Sequence, residues 1–119
     1  MPIVFVYGSL KKGKKLHSYL KNAKFLGKAL TCHKYPMVIS KEGWYPYLIE
    51  QKGRGYYIKG EAYKITPKLL KILDKVEESP YYYYRKKICI KIKNKKYKAY
   101  VYFVKKPPKY TKRDLINEF

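Results

Sequence analysis

Helical periodicity of any length occurs once in these 119 residues, and the rest of the chain must be arranged around it. Thr66-Pro67 begins it, a hydroxyl N-cap followed by proline where a missing amide costs nothing. Leu69, Ile72, Leu73 and Val76 then recur at i, i+3, i+4 and i+7, which predicts one apolar stripe facing a core. Glu77 and Glu78 follow, and Ser79-Pro80 stops the helix.

Most of the remaining chain reads as strands. The run Val4-Phe5-Val6-Tyr7 breaks at Gly8, as a buried strand emptying into a loop does. Phe25, Leu26, Ala29 and Leu30 are interrupted by Gly27, the mark of a bulged strand. Tyr35-Pro36-Met37-Val38-Ile39 is a short strand whose proline favours an edge. Trp44-Tyr45-Pro46-Tyr47-Leu48-Ile49 gathers aromatic rings for a core or a pocket wall. Residues 56–65 form a long strand. Ile88, Ile90 and Ile92 alternate with Cys89, Lys91 and Lys93. After a turn at Asn94, Tyr97, Ala99, Val101 and Phe103 face one side, with Lys98, Tyr100 and Tyr102 on the other. That pattern predicts a half-buried antiparallel hairpin. A short helix is expected around residues 16–20, and His17 either reaches back to the preceding loop or caps it. The class is α+β: one domain over residues 1–104, then a C-terminal tail over 105–119 with one helical turn.

Composition bears on partners. The 29 lysines and arginines against 8 aspartates and glutamates leave a formal charge of +21, so polyanions are attracted. The lysines run from Lys11 to Lys112 instead of forming one stripe, which fits a solvated surface as well as a binding face. The charge makes nonspecific nucleic-acid binding possible, and a rival reading has lysines and exposed tyrosines such as Tyr81 to Tyr84, which can stack on bases, carry it. Many Lys, Ile and Tyr with few Gln suit a high-temperature source. Cys32 and Cys89 have no diagnostic spacing and read as two buried small apolar groups. A zinc site from Cys32, His33, Cys89 and His17 would need a convergence that no spacing indicates. No segment approaches the ~18 apolar residues of a membrane span and no basic leader precedes the first apolar run, so the expectation is a soluble, cytoplasmic protein without membrane contact.

Two places carry chemistry. The backbone amides of Gly8, Ser9 and Leu10 are available to an anionic or carbonyl oxygen. Gly8 to Lys14 also satisfies most of the phosphate-loop pattern, but Lys15 stands where a hydroxyl must ligate magnesium. The second place is the helix end. A carboxylate there faces the negative end of the helix dipole, and with burial its pKa rises toward neutrality, as a general acid or base at pH 7 requires. Solvated glutamates at a fraying helix end are the plainer reading of the same residues.

Taken together, four features resemble the gamma-glutamylcyclotransferase-like family, particularly its short gamma-glutamylamine cyclotransferase branch. They are Tyr7-Gly8-Ser9-Leu10 followed by lysines and Gly13, the pair Tyr45-Pro46, the strand at Gly60-Glu61, and Leu73-Asp74-Lys75-Val76-Glu77 followed by Pro80 and Tyr84-Arg85. The resemblance spans roughly residues 3–104. It implies a small mixed β-barrel-like sheet with flanking helices, no metal or cofactor, and cyclisation of a gamma-glutamyl amine or amino acid to 5-oxoproline with release of a free amine. It implies Tyr7, Gly8, Ser9 and Leu10 as the substrate-binding loop and Glu77 as the catalytic acid/base, with Glu61 or Glu78 next in line. Two positions depart from the family pattern. Glu78 stands where glycine usually follows the catalytic glutamate, and Ser9 replaces a common threonine. A non-catalytic basic module binding nucleic acid, or a small-ligand binding protein on the same fold, are the competing expectations.

Overall fold

The computed structural model describes all residues, 1–119. Five strands close into a barrel in the order β1 (Ile3–Val6), β5 (Tyr56–Lys64), β2 (Lys24–Tyr35), β6 (Tyr83–Ile92), β7 (Lys95–Val104). Neighbours are antiparallel except at the seam, where β1 lies parallel to β7 with Val4 opposite Tyr100. A two-stranded ribbon, β3 (Met37–Ile39) with β4 (Pro46–Leu48), stands apart from the barrel. One helix, α1 (Pro67–Val76), and two short 3-10 turns complete the chain. No helix is long and apolar enough to cross a membrane.

The apolar residues divide into two layers. Phe5, Ala29, Ile58, Ala62, Ile88, Ile90, Ala99, Val101 and Phe103 fill the barrel. Val4, Val6, Tyr102 and Val104 point outward and are covered by Leu70 and Leu73 of α1. β1 is apolar at every position because both its faces are buried, the pattern of a strand between two layers. The same covering explains why β7 departs from simple alternation. Tyr102, expected on the solvated face, is only 4% exposed.

Helix α1 starts as its sequence specifies: the Thr66 hydroxyl accepts from the Leu69 amide at 3.0 Å. Its buried stripe is shifted by one residue. Leu70 is buried while Ile72 is 39% exposed, so the i+3 position of the predicted stripe faces solvent. The helix packs on the outer wall of the barrel through Leu69, Leu70 and Leu73, and Val76 lines the adjoining cavity.

Strand β2 carries two irregularities. One is the expected bulge between Phe25 and Gly27, where Gly27 takes φ +141°. The other, between Leu30 and Lys34, is spanned by Thr31. Its hydroxyl accepts from the Ile58 amide at 2.9 Å and donates to the His33 carbonyl at 2.6 Å. A side chain thus replaces ladder bonds that the bulge has removed.

The two cysteines are not separate buried groups. Cys32 on β2 and Cys89 on β6 form a disulfide across the barrel wall, with their Cα atoms 5.4 Å apart. The strands are neighbours in the sheet although 57 residues separate the cysteines along the chain, so linear spacing concealed the pair. The zinc reading falls with it, because no cluster of metal-ligating side chains exists and His17 lies against another part of the molecule.

The segment beyond β7 runs along the barrel. Its 3-10 turn spans Lys112–Asp114, the Ile116 amide donates to the Met37 carbonyl, and the Asn117 carbonyl accepts from the Lys59 amide. Ile116 and Phe119 pack on the inner cluster, Tyr110 and Leu115 on the outer. Thr31→Val keeps the shape but strands the Ile58 amide in a buried place, which costs about 1–3 kcal/mol. Urea unfolding of the two proteins should show a lowered midpoint with an unchanged slope.

Candidate active site

A cavity of about 340 Å³ opens between the end of β1, the end of α1 and the start of the β4 ribbon. Tyr7, Gly8, Ser9 and Leu10 form one wall, Glu77 and Glu78 another, and Trp44, Tyr45 and Pro46 a third. Tyr82, Tyr83 and Tyr102 complete it. All five residues singled out in the sequence, Tyr7 to Leu10 and Glu77, therefore line one space. Glu61 does not.

The loop after β1 is held from several sides. Gly8 meets the Pro46 ring so closely that a Cβ would lie 2.8 Å from its Cδ and Cγ. The pairing of Gly8 with Tyr45-Pro46 is thus a packing requirement, and a side chain at residue 8 would force the ribbon away. The Lys11 amide donates to the Gly8 carbonyl at 2.9 Å, and the Leu16 amide to the Ser9 carbonyl at 2.8 Å. His17 Nδ1 reaches back to the Leu10 carbonyl at 2.9 Å, so its role is to tie the loop. Glu61 accepts from the Lys12 amide and the Tyr63 hydroxyl, which makes it a strut beneath the loop. The bonds from Lys11, Leu16 and His17 take up the loop's carbonyls, and Glu61 takes up the Lys12 amide. The amides of Gly8, Ser9 and Leu10 make no bond within the protein and remain free for a ligand.

Glu77 is the C-cap of α1, at φ −89° and ψ 2°. The next residue, Glu78, takes φ +51°. Its amide donates to the Lys75 carbonyl and the Ser79 amide to the Asp74 carbonyl. These two bonds make a Schellman termination with a left-handed residue just after the cap, a position that suits glycine. Glu78 therefore occupies the glycine position of the family pattern without rearranging the helix end. Its side chain is exposed.

Asp74, one turn earlier, anchors the helix. Its Oδ1 accepts from the Tyr102 hydroxyl of β7 at 2.7 Å and pairs with Arg85 Nε of β6 at 3.1 Å. The anchored turn leaves the Glu77 carboxylate facing the cavity. Neither salt bridge of the molecule includes it, and no side chain hydrogen-bonds to it.

Burial raises the Glu77 carboxyl from an ordinary 4.5 to about 7. Burial is sufficient, and repulsion from Glu78 is not needed. The surrounding phenols move the same way. Burial first, and then neighbouring negative charge, push Tyr7 and Tyr83 far above the usual phenol range. Burial and the hydrogen bond to Asp74 do so for Tyr102. Each also has its proton committed: Tyr7 donates to the Tyr102 carbonyl, Tyr83 to the Pro46 carbonyl at 3.1 Å, and Tyr102 to Asp74. Glu77 is left as the cavity group that gains and loses a proton near neutrality with no competing partner.

Comparison with known proteins shows the family to which the chain is similar. The profile of the family described as "Gamma-glutamyl cyclotransferase, AIG2-like" matches residues 4–118. A Methanocaldococcus jannaschii protein provisionally named a gamma-glutamylcyclotransferase is 44% identical over 105 residues, covering 87% of this chain and 84% of that protein. The Homo sapiens gamma-glutamylaminecyclotransferase is 37% identical over 90 residues, 71% of this chain and 59% of that protein. The crystal structure of an AIG2-like protein from Mus musculus superposes with a TM-score of 0.87 at 26% identity, covering 100% of this chain and 88% of that one.

Glu78→Gly relieves a left-handed glutamate and should stabilise the protein by about 1 kcal/mol. A pH titration of Glu77 followed by NMR should keep its midpoint near 7 in that variant, since burial sets it.

Proposed function

This chain belongs to the gamma-glutamyl cyclotransferase, AIG2-like family, and from that premise we propose that it converts a gamma-glutamyl amine or amino acid to 5-oxoproline and a free amine, with Glu77 as acid/base. The observation that carries the reading is the unpaired, part-buried Glu77 carboxylate sharing one cavity with Gly8, Ser9 and Leu10, whose amides make no bond within the protein.

The reaction needs one proton acceptor that becomes a donor. Glu77, ionised, takes a proton from the substrate's α-ammonium. The freed amine attacks the γ-carbonyl carbon, and a five-membered ring closes. As the bond to the leaving nitrogen breaks, Glu77 returns the proton to that nitrogen. The ring nitrogen sheds its second proton to solvent, and the released amine takes one up. A group with pKa about 7 gives and receives with equal ease at neutral pH. The amides of residues 8–10 hold the α-carboxylate or the developing oxyanion without reorganising. The walls of Tyr7, Tyr83 and Pro46 fold the substrate so that amine and carbonyl meet. No step requires a metal or a cofactor. Few glutamines, abundant lysine and the Cys32–Cys89 bridge support placing this soluble enzyme in the cytoplasm of a high-temperature organism, where intracellular disulfides persist.

Glu77→Gln should abolish 5-oxoproline formation, followed by mass spectrometry, while gamma-glutamyl substrates still raise the melting temperature. Product formed at the wild-type rate would remove Glu77 from the chemistry. The acid limb of kcat/KM for the wild type should rise with pH to a plateau, with its midpoint near 7.

The same carboxyl sets a stability signature of definite sign. Its folded pKa lies above its unfolded one, so its stabilising contribution is complete below 4.5 and is lost as pH rises through about 7. Glutamine cannot ionise. Between pH 5 and pH 8 the stability of Glu77→Gln relative to wild type should therefore increase by about 2–3 kcal/mol.

A further inference from the structure

A second cavity, of about 420 Å³, adjoins the first. Tyr47, Tyr81, Tyr82, Val104, Lys106 and Pro108 line it, and Tyr82 belongs to both. The Tyr82 ring stacks on Tyr83 at 5.2 Å and 12°, and Tyr83 lies in the wall beside Glu77. Tyr47 packs against both rings, its centroid 6.2 Å from Tyr82 and 6.3 Å from Tyr83, with the Tyr47 and Tyr82 hydroxyls 2.7 Å apart. The partition between the cavities is thus a braced aromatic plate.

Beyond the plate, two side chains have no work in the fold. Tyr81 is 84% exposed and packs on no other ring. Lys106 is exposed and makes neither a salt bridge nor a hydrogen bond. It is the only charged group of the second cavity. A ligand there meets aromatic faces and one cation.

We propose that the second cavity receives the leaving group, and that it selects gamma-glutamyl amides whose amine portion is aromatic and carries a carboxylate. The proposal rests on the cyclotransferase reading of the first cavity. With the glutamyl part held against residues 7–10, the substituent on the γ-carbonyl passes Glu77 and continues over Tyr82. Its ring stacks on Tyr81 and Tyr82, and its carboxylate pairs with Lys106. The charge pattern selects against the opposite class. An alkyl diamine would bring its distal ammonium toward Lys106, the one charged group that lines the second cavity, on a chain of net charge +21.

Four synthetic amides test this: the gamma-glutamyl derivatives of methylamine, benzylamine, 4-(aminomethyl)benzoate and 1,4-diaminobutane. In the wild type kcat/KM should rise from methyl to benzyl by about threefold to tenfold. It should rise again from benzyl to carboxybenzyl by about twofold to fivefold, and the aminobutyl amide should be the poorest. Lys106→Gln should collapse the carboxybenzyl-to-benzyl ratio to near one, and Tyr81→Ala the benzyl-to-methyl ratio. Added salt should shrink the first ratio and leave the second. Turnover of all four amides with equal kcat/KM, or preference for the aminobutyl amide, overturns the leaving-group site and leaves the cyclotransferase reading standing. Turnover of none overturns both.

Discussion

The carboxylate of Asp74 holds the working parts of this molecule in register. Through Tyr102 it grips β7 and through Arg85 it grips β6, so the last turn of α1 cannot slide or rotate on the barrel. The pair is partly shielded, and the phenol bond adds to it, which makes it a positioning device more than a source of stability. Glu77 lies three residues further on, at the cap, and inherits that fixed frame. Were the turn to fray, Glu77 would meet water, its pKa would fall toward 4.5, and the loop amides of β1 would face an ordinary surface carboxylate. Arg85, with its guanidinium also 4.5 Å over the Tyr100 ring, is fixed in turn by the sheet.

The element boundaries and the site were largely legible in the residues because both rest on local rules. Thr66-Pro67 and Ser79-Pro80 bracket the helix through backbone chemistry that needs no tertiary context, and the glycine after an apolar strand marks the loop. What escaped was set by partners distant in sequence. Tyr102 looked solvated because nothing local announces that α1 covers the outer face of β7. Ile72 looked buried because an ideal stripe ignores the curvature of the wall it meets. Cys32 and Cys89 meet only because β2 and β6 are neighbours in the closed sheet. Glu61, a candidate by type, is a strut by geometry, and that difference is invisible until its donors are assigned.

Three phenols, Tyr7, Tyr83 and Tyr102, share the cavity with Glu77. Here each donates to a fixed acceptor and is driven to a pKa where it stays neutral. They behave as oriented walls, polar enough to wet a substrate and unable to ionise. Glu77 is thereby left as the carboxyl that burial alone raises to about 7.

The parallel seam between β1 and β7 has a kinetic meaning. The strand that leads into residues 7–10 is made first, yet Val4 cannot reach its neighbour Tyr100 until nearly the whole chain exists. Its other partner, β5, also lies more than fifty residues downstream. The contacts that close the barrel therefore have long sequence separation, which slows folding and favours early growth of local pieces such as the β6–β7 hairpin. Residues 7–10 acquire their shape only when β1 docks. The cavity lined by residues 7–10 and Glu77 is thus assembled by the closing event itself, and a partly folded chain has no half-built version of it.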